Sequence, residues 1–102
     1  MAFVQIIDFR TSKFDEMRQL EDEWQAAAGT GSAASRVITG ADRDASGRYL
    51  QIVFFDSYES AMENSNLPVT QEFAKKMMAL SDGPPTFYNL DVVEDRTLAD
   101  AG

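Results

Sequence analysis

Two stretches of this sequence repeat one another. Val4-Gln5-Ile6-Ile7 matches Leu50-Gln51-Ile52-Val53, Phe9 matches Phe55, and Thr11 matches Ser57, all at one constant offset. In each stretch successive side chains alternate between two faces, as on a β-strand. Each then meets a hydroxyl residue that can accept from an orphan N–H of a helical first turn. A chain that runs strand into helix twice, with a further strand after each helix, has few topologies open to it. The order strand, helix, strand, strand, helix, strand is the split βαβ arrangement. Right-handed crossovers then put the helices on one face of a four-stranded antiparallel sheet. The predicted class is therefore α+β, ferredoxin-like βαββαβ.

The elements follow from local signals. Ala2 to Arg10 alternates as the first strand, and the helix from about Lys13 to Ala28 carries an apolar stripe of Phe14, Met17, Leu20 and Trp24. Glu21, Asp22 and Glu23 read as its solvated face, and Trp24 reads as core or interface packing rather than a ligand platform. Gly29, Gly31 and Ser32 end the helix. Ser35 to Arg43 is a weaker strand whose Gly40 suggests a bulge. Asp44 to Gly47 is a hairpin turn, with Gly47 able to take positive φ. Arg48 to Phe55 is the central strand, and Ser57 caps a short helix, Tyr58 to Ser65. Pro68 opens a longer helix as a favoured first-turn residue, and Asp82-Gly83-Pro84-Pro85 stops it. Thr86 to Val93 is the last strand. We assign one domain, residues 1–93, and an acidic C-terminal tail, residues 94–102.

Composition excludes several function classes. The 102 residues include 17 Asp and Glu against 9 Lys and Arg, a formal net charge of −8. Such a surface repels phosphate backbones and anionic lipid, so neither nucleic acid nor a membrane is an expected partner. No apolar run approaches the ~20 residues of a membrane span. There is no Cys and no His. Thiolate chemistry, a thiolate or imidazole metal site and the usual haem ligand are all missing. We expect a cytoplasmic protein that uses no metal and no cofactor.

Both sheet faces are apolar. Val4, Ile6, Leu50, Ile52, Phe54, Tyr88, Leu90 and Val92 form a nearly uniform set, expected under the helices. Phe3, Gln5, Ile7, Phe9, Tyr49, Gln51, Val53, Phe55, Phe87, Asn89, Asp91 and Val93 form the other. That second set is too apolar to face water, so a second copy is expected to cover it, giving a two-fold homodimer that closes the sheets into a barrel.

With this pattern in place the chain resembles the dimeric α/β-barrel superfamily, in particular its antibiotic-biosynthesis-monooxygenase-like group. The likeness covers about residues 2–93. It is most local over Phe55-Asp56-Ser57-Tyr58-Glu59-Ser60-Ala61-Met62-Glu63-Asn64, with Phe73 downstream. The resemblance implies a homodimer with a pocket in each half of the barrel. Many members carry a His about where Asn64 stands. Its absence here speaks against haem degradation and against a His-assisted oxygenation.

The candidate site residues are the polar groups and rings of the second face. Gln5, Gln51 and Asn89, with Phe3, Phe55 and Phe87 as walls, are candidates for substrate binding, since an apolar cavity with a few convergent polar groups is the usual small-molecule site. The alternative for the amides is mutual hydrogen bonding or a bridge to the partner. Asp91 is a candidate general acid or base if an apolar pocket surrounds it. Its alternative is an ion pair with Arg36 or Arg43 of either chain. Tyr49 can donate to an oxyanion, or pack at an interface with its hydroxyl at the rim. Two functions fit. One is cofactor-independent, monooxygenase-like action on, or binding of, an aromatic or polyketide-like small molecule. The other is a non-catalytic dimeric module, sensing a metabolite or serving a structural role.

Overall fold

A computed structural model describes residues 2–28 and 34–98. The element order is β1 (Phe3–Arg10), α1 (Phe14–Ala28), β2 (Ala34–Ala41), β3 (Arg48–Phe55), α2 (Tyr58–Ser65), α3 (Pro68–Leu80) and β4 (Thr86–Asp91). The four strands form one antiparallel sheet in the order β2-β3-β1-β4. This is the ferredoxin-like α+β arrangement that the repeat predicts, with β1 and β3, the repeated stretches, at its centre. The helix end expected at Gly29, Gly31 and Ser32 lies outside the described residues, as does the end of the acidic tail.

Local chemistry sets the boundaries. The Ser57 hydroxyl accepts from the Ser60 N–H at 3.1 Å and caps α2, and Pro68 occupies the first turn of α3. Gly47 has φ of 81° at the β2–β3 turn, where any Cβ would be strained. The same turn is braced by Asp42, whose carboxylate accepts from the Asp44 N–H at 2.9 Å. The bulge suggested by Gly40 lies elsewhere. Gly40 pairs regularly with Leu50, and the register slips between Ala34 and Arg36. The extra residue there, Ser35, donates its hydroxyl to the Phe54 carbonyl at 3.2 Å. β4 stops two residues earlier than expected, although the Val92 N–H still reaches the Ala2 carbonyl at 2.9 Å.

The two faces of the sheet are the reverse of the sequence expectation. Phe3, Ile7, Phe9, Val53 and Phe55 are the buried side chains, packed with Met17 of α1 and Ala61 of α2. The helices therefore cover the set that carries the amides. Val4, Ile6, Leu50, Ile52 and Phe54 are half-buried on the open side, and Ile38, Tyr88 and Leu90 are exposed beside them. Apolarity does not separate the two faces, because a subunit interface can be as hydrophobic as a domain core. At one end of the open face Arg48 grips Asp8 through Nε (3.1 Å) and an Nη (2.7 Å), and reaches Asp42 at 2.9 Å. Hydrogen bonding to Arg48 holds the Asp8 carboxyl below its ordinary range.

Thr11 joins the layers where β1 leaves the sheet. It is buried; its hydroxyl donates to the Leu80 carbonyl at 2.6 Å and accepts from the Lys13 N–H at 2.9 Å. Its own N–H donates to the Gly47 carbonyl at 2.9 Å. One side chain thus ties β1, the start of α1 and the end of α3. Thr11→Val keeps the shape and strands the Leu80 carbonyl. We expect a loss of about 1–3 kcal/mol, read as a melting-temperature drop of about 4–8 °C per kcal/mol in a domain of this size. An unchanged melting temperature would show that the three elements are held by packing alone.

Candidate functional site

Between the sheet and the helices lies a cavity of about 250 Å³. The sheet contributes Gln5, Ile7, Val37, Gln51, Val53, Phe55 and Phe87 to its wall, and α1 contributes Glu21 and Trp24. The end of α2 adds Asn64 and Ser65, and α3 adds a polar start, Thr70 and Gln71, followed by Phe73, Ala74, Met77 and Met78. The wall is mostly apolar, with four amides, two hydroxyls and one carboxyl. The Trp24 indole N–H donates to the Thr70 hydroxyl at 3.3 Å, and its ring sits 5.4 Å from that of Phe73, tilted by 35°. This contact joins α1 to α3 across one end of the cavity. Among the described residues no group of three or more Asp or Glu is placed to hold a metal ion, and no helix is long and apolar enough to cross a membrane.

The residues singled out from the sequence separate into three groups. Gln5, Gln51, Phe55 and Phe87 line the cavity. Asn89 stands opposite Gln5 in the β1–β4 register and accepts from its amide at 3.1 Å. Phe3 is buried core, tilted 6.3 Å from Phe55 and edge-on to Tyr58 at 5.4 Å. Tyr49 and Asp91 stand apart from the cavity. Tyr49 is stacked on Phe14 with centroids 4.2 Å apart and planes 7° apart, and lies 5.7 Å from Phe9. The apolar pocket expected around Asp91 is not there: Asp91 is exposed, opposite Phe3 at the edge of the sheet. Within one chain Arg36 cannot reach it, because β2 and β4 are the two opposite edges of the sheet. Arg36 lies instead 5.6 Å over the Phe54 ring.

Glu21 is the group that the sequence reading placed in solvent. It points into the cavity, where its Oε2 accepts from the Gln51 amide at 3.1 Å. The same amide nitrogen lies 3.5 Å from the Thr39 hydroxyl. Glu21 is the sole ionisable group among the lining residues. Burial pushes its carboxyl above the ordinary value of 4.5, and the neighbouring Asp22 pushes it the same way. Gln51 and Arg18 oppose them more weakly. One signal for this existed in the sequence. Met17, Glu21 and Trp24 follow the helical spacing i, i+4, i+7, which puts Glu21 on the apolar stripe. Asn64 and Trp24 carried no comparable signal, because nothing local says that the helix layer leaves a cavity beside them.

A carboxyl raised by folding weakens the fold when it ionises. Below the ordinary value Glu21 is protonated in both folded and unfolded states and contributes nothing. As pH rises past it, the unfolded chain ionises first and gains the advantage. Glu21→Gln keeps an acceptor for Gln51 and removes the charge. The variant is expected to melt higher than the parent at pH 7, with the difference shrinking to nothing below about pH 4. A constant difference across that range would mean that Glu21 is not the titrating group.

No protein-family model matches this sequence, and no curated protein matches it either. Solved structures do match in fold. SnoaB, a cofactor-independent oxygenase from Streptomyces nogalater, aligns at a TM-score of 0.78 with 15% identity, over 97% of this chain and 98% of its own. Rv0793 from Mycobacterium tuberculosis aligns at 0.77 with 13% identity, over 95% and 100%. A conserved protein from Methanosarcina mazei Go1 aligns at 0.77 with 8% identity, over 88% and 91%. Identity this low speaks for architecture alone, and the chain has the ferredoxin-like α+β fold that SnoaB and other antibiotic biosynthesis monooxygenase structures share.

Proposed function

We propose that this protein is a homodimer in which each chain binds a planar aromatic or polyketide-like molecule in the cavity and oxygenates it without a cofactor. The observation that carries the reading is the cavity itself, partly open to solvent and lined by Trp24, Phe55, Phe73 and Phe87 with a mostly apolar wall. An engineered cavity of about 150 Å³ takes one benzene ring; this one has room for about two fused rings. A ring system is held there by apolar contact, beside the amide of Gln5 and the carboxyl of Glu21. The fold shared with a cofactor-independent oxygenase supports the choice of reaction.

The chemistry asks little of the protein. A substrate with an acidic CH₂ group loses a proton, and the anion passes an electron to dioxygen. The two radicals combine at carbon, and the resulting hydroperoxide loses water. The sum is R₂CH₂ + O₂ → R₂C=O + H₂O, in which the substrate supplies all four electrons. The protein contributes an apolar enclosure and a proton acceptor. Trp24 is the chain's one tryptophan, so its emission reports the occupied cavity. With 2-indanone, a two-ring ketone with an acidic CH₂, we expect quenching of Trp24 and protein-dependent incorporation of label from ¹⁸O₂. Ala74→Phe, which fills the cavity from α3, is expected to weaken binding about tenfold. Quenching without label would leave a binding module; neither would remove the reading.

The assembly reading rests on surface area. A compact chain of this mass exposes about 5,700 Å², whereas this one exposes 7192 Å². The exposed residues 94–98 account for part of the excess. The rest fits an open sheet face of Val4, Ile6, Ile38, Ile52, Tyr88 and Leu90, and a standard interface takes about 800 Å² from each partner. Two copies joined there close into a barrel, with the Asp8–Arg48–Asp42 cluster at the polar rim. The partner covers the face opposite the cavity. Ile52→Lys is expected to weaken the dimer at least about thirtyfold by native mass spectrometry or sedimentation, with a folded monomer remaining. A dimer unaffected by this change would place the interface elsewhere.

A further inference from the structure

We infer that Glu21, held in place by Gln51, is the group that sets which ligands the cavity accepts: neutral aromatics carrying an O–H or acidic C–H donor, and not aromatic acids. The inference rests on the reading of the cavity as a ligand site and adds the substrate class. Three observations carry it.

The first is charge. The lining residues include one carboxyl and no Lys or Arg. A ligand carboxylate or phosphate entering this space would be desolvated beside Glu21 with no cation to pair with. The second is geometry. The Gln51 amide nitrogen fixes Oε2 of Glu21 at 3.1 Å, and Gln51 is itself buried on the central strand β3. The same nitrogen points towards Thr39 of β2, at 3.5 Å. The carboxyl is therefore anchored to the sheet through one oxygen, and among the described residues the bond given for it is this one. Unlike an exposed helix residue, it cannot simply swing back to water without breaking a bond to a buried amide. The third is its surroundings. The charged groups that act on Glu21 are Asp22 and Arg18, both on its own helix. The side chains facing the cavity from β1, β2, β3, α2 and α3 are all neutral. Glu21 thus meets a ligand as the one charge in an apolar site, where a donor is rewarded and a second negative charge is not.

The assignment also supplies what the oxygenation requires, a proton acceptor beside the ring. Glu21 takes the donor's proton as the anion forms and can return one to the hydroperoxide. Gln51 touches the carboxyl rather than the substrate and is a positioning residue.

The test uses three probes that share one ring system on the intact protein: naphthalene, 2-naphthol and 2-naphthoate, with binding followed by calorimetry and by Trp24 emission. At pH 7.5 we expect 2-naphthol to bind about tenfold tighter than naphthalene, and 2-naphthoate at least about tenfold weaker than 2-naphthol. In Glu21→Gln the naphthoate penalty, measured as the naphthoate-to-naphthalene ratio within the same variant, should fall about tenfold. In wild type the naphthol preference should fade as pH drops and Glu21 takes up its proton. Gln51→Leu should move that fading to higher pH, since the amide stabilises the ionised form. Equal binding of naphthol and naphthoate, or a ratio indifferent to Glu21→Gln, overturns the assignment while leaving the cavity a ligand site. Failure of naphthalene itself to bind overturns the cavity reading, and this assignment with it.

Discussion

The pairing of β1 with β3 is the constraint on which the rest of the molecule depends. The two strands run in one unbroken register from Phe3 opposite Phe55 to Arg10 opposite Arg48. Because a strand's period is two, this register decides at once which side chains share a face. Gln5 and Gln51 point the same way as Phe3, Ile7, Phe9, Val53 and Phe55. A slip of one residue in either strand would send an amide into the open face and a valine or isoleucine into the cavity. Both strands also end against the same fixture. Thr11, just past β1, bonds to Gly47, just before β3, and to the last turn of α3. Sheet register and helix position are therefore set together.

The internal repeat made the strand order and the pairing legible, because two similar strand–cap units leave little choice of topology. The helix starts were legible too, since Ser57 acts through a bond within one turn of itself and Pro68 through its own fixed φ. The assignment of faces was not. One face is uniformly aliphatic and aromatic, and the other mixes rings with amides. Judged by hydropathy alone, the uniform face belongs under the helices. The helices instead cover the mixed one, because their packing leaves a space in which Gln51 and Gln5 find partners in Glu21 and Asn89. The uniform face carries no amide, and an unpaired amide there would be costly under any cover that excludes water. The residues chosen for the site consequently share the correct face but were given the wrong cover. The cavity is built within one chain rather than between two.

Tyr49 and Asp91 show why a face is not a site. Both belong to strands whose neighbours line the cavity. Yet Tyr49 is held in a stack with Phe14 and Phe9, and Asp91 lies exposed at the end of β4. Position along the strand, and which helix passes over it, decides between core, cavity and rim. Those are properties of how α1, α2 and α3 cross the sheet, and one strand's alternation carries no information about them. Glu21 presents the converse. It stands in an acidic run that reads as a solvated face, but one turn of helix carries it onto the stripe between Met17 and Trp24.

The helix layer explains why a cavity exists at all. No residue of α3 is buried, although the helix carries Phe73, Met77, Met78 and Leu80. Among the described residues no large side chain is fully sealed from solvent. A layer meant only to cover the sheet would press these side chains into Val53 and Phe55 and leave no void, since close packing is the stable arrangement. Here Met77 and Leu80 do reach the core, yet a cavity remains beside Phe73 and Ala74, next to the bond from Trp24 to Thr70 that ties α3 to α1. Into the space so kept the chain turns an ionisable group whose burial weakens the fold. An unfilled volume and a destabilising carboxylate, each costly alone, occur at the same place. That coincidence is expected where stability gives way to ligand binding, and it is the strongest physical reason to read this side of the sheet as the working one.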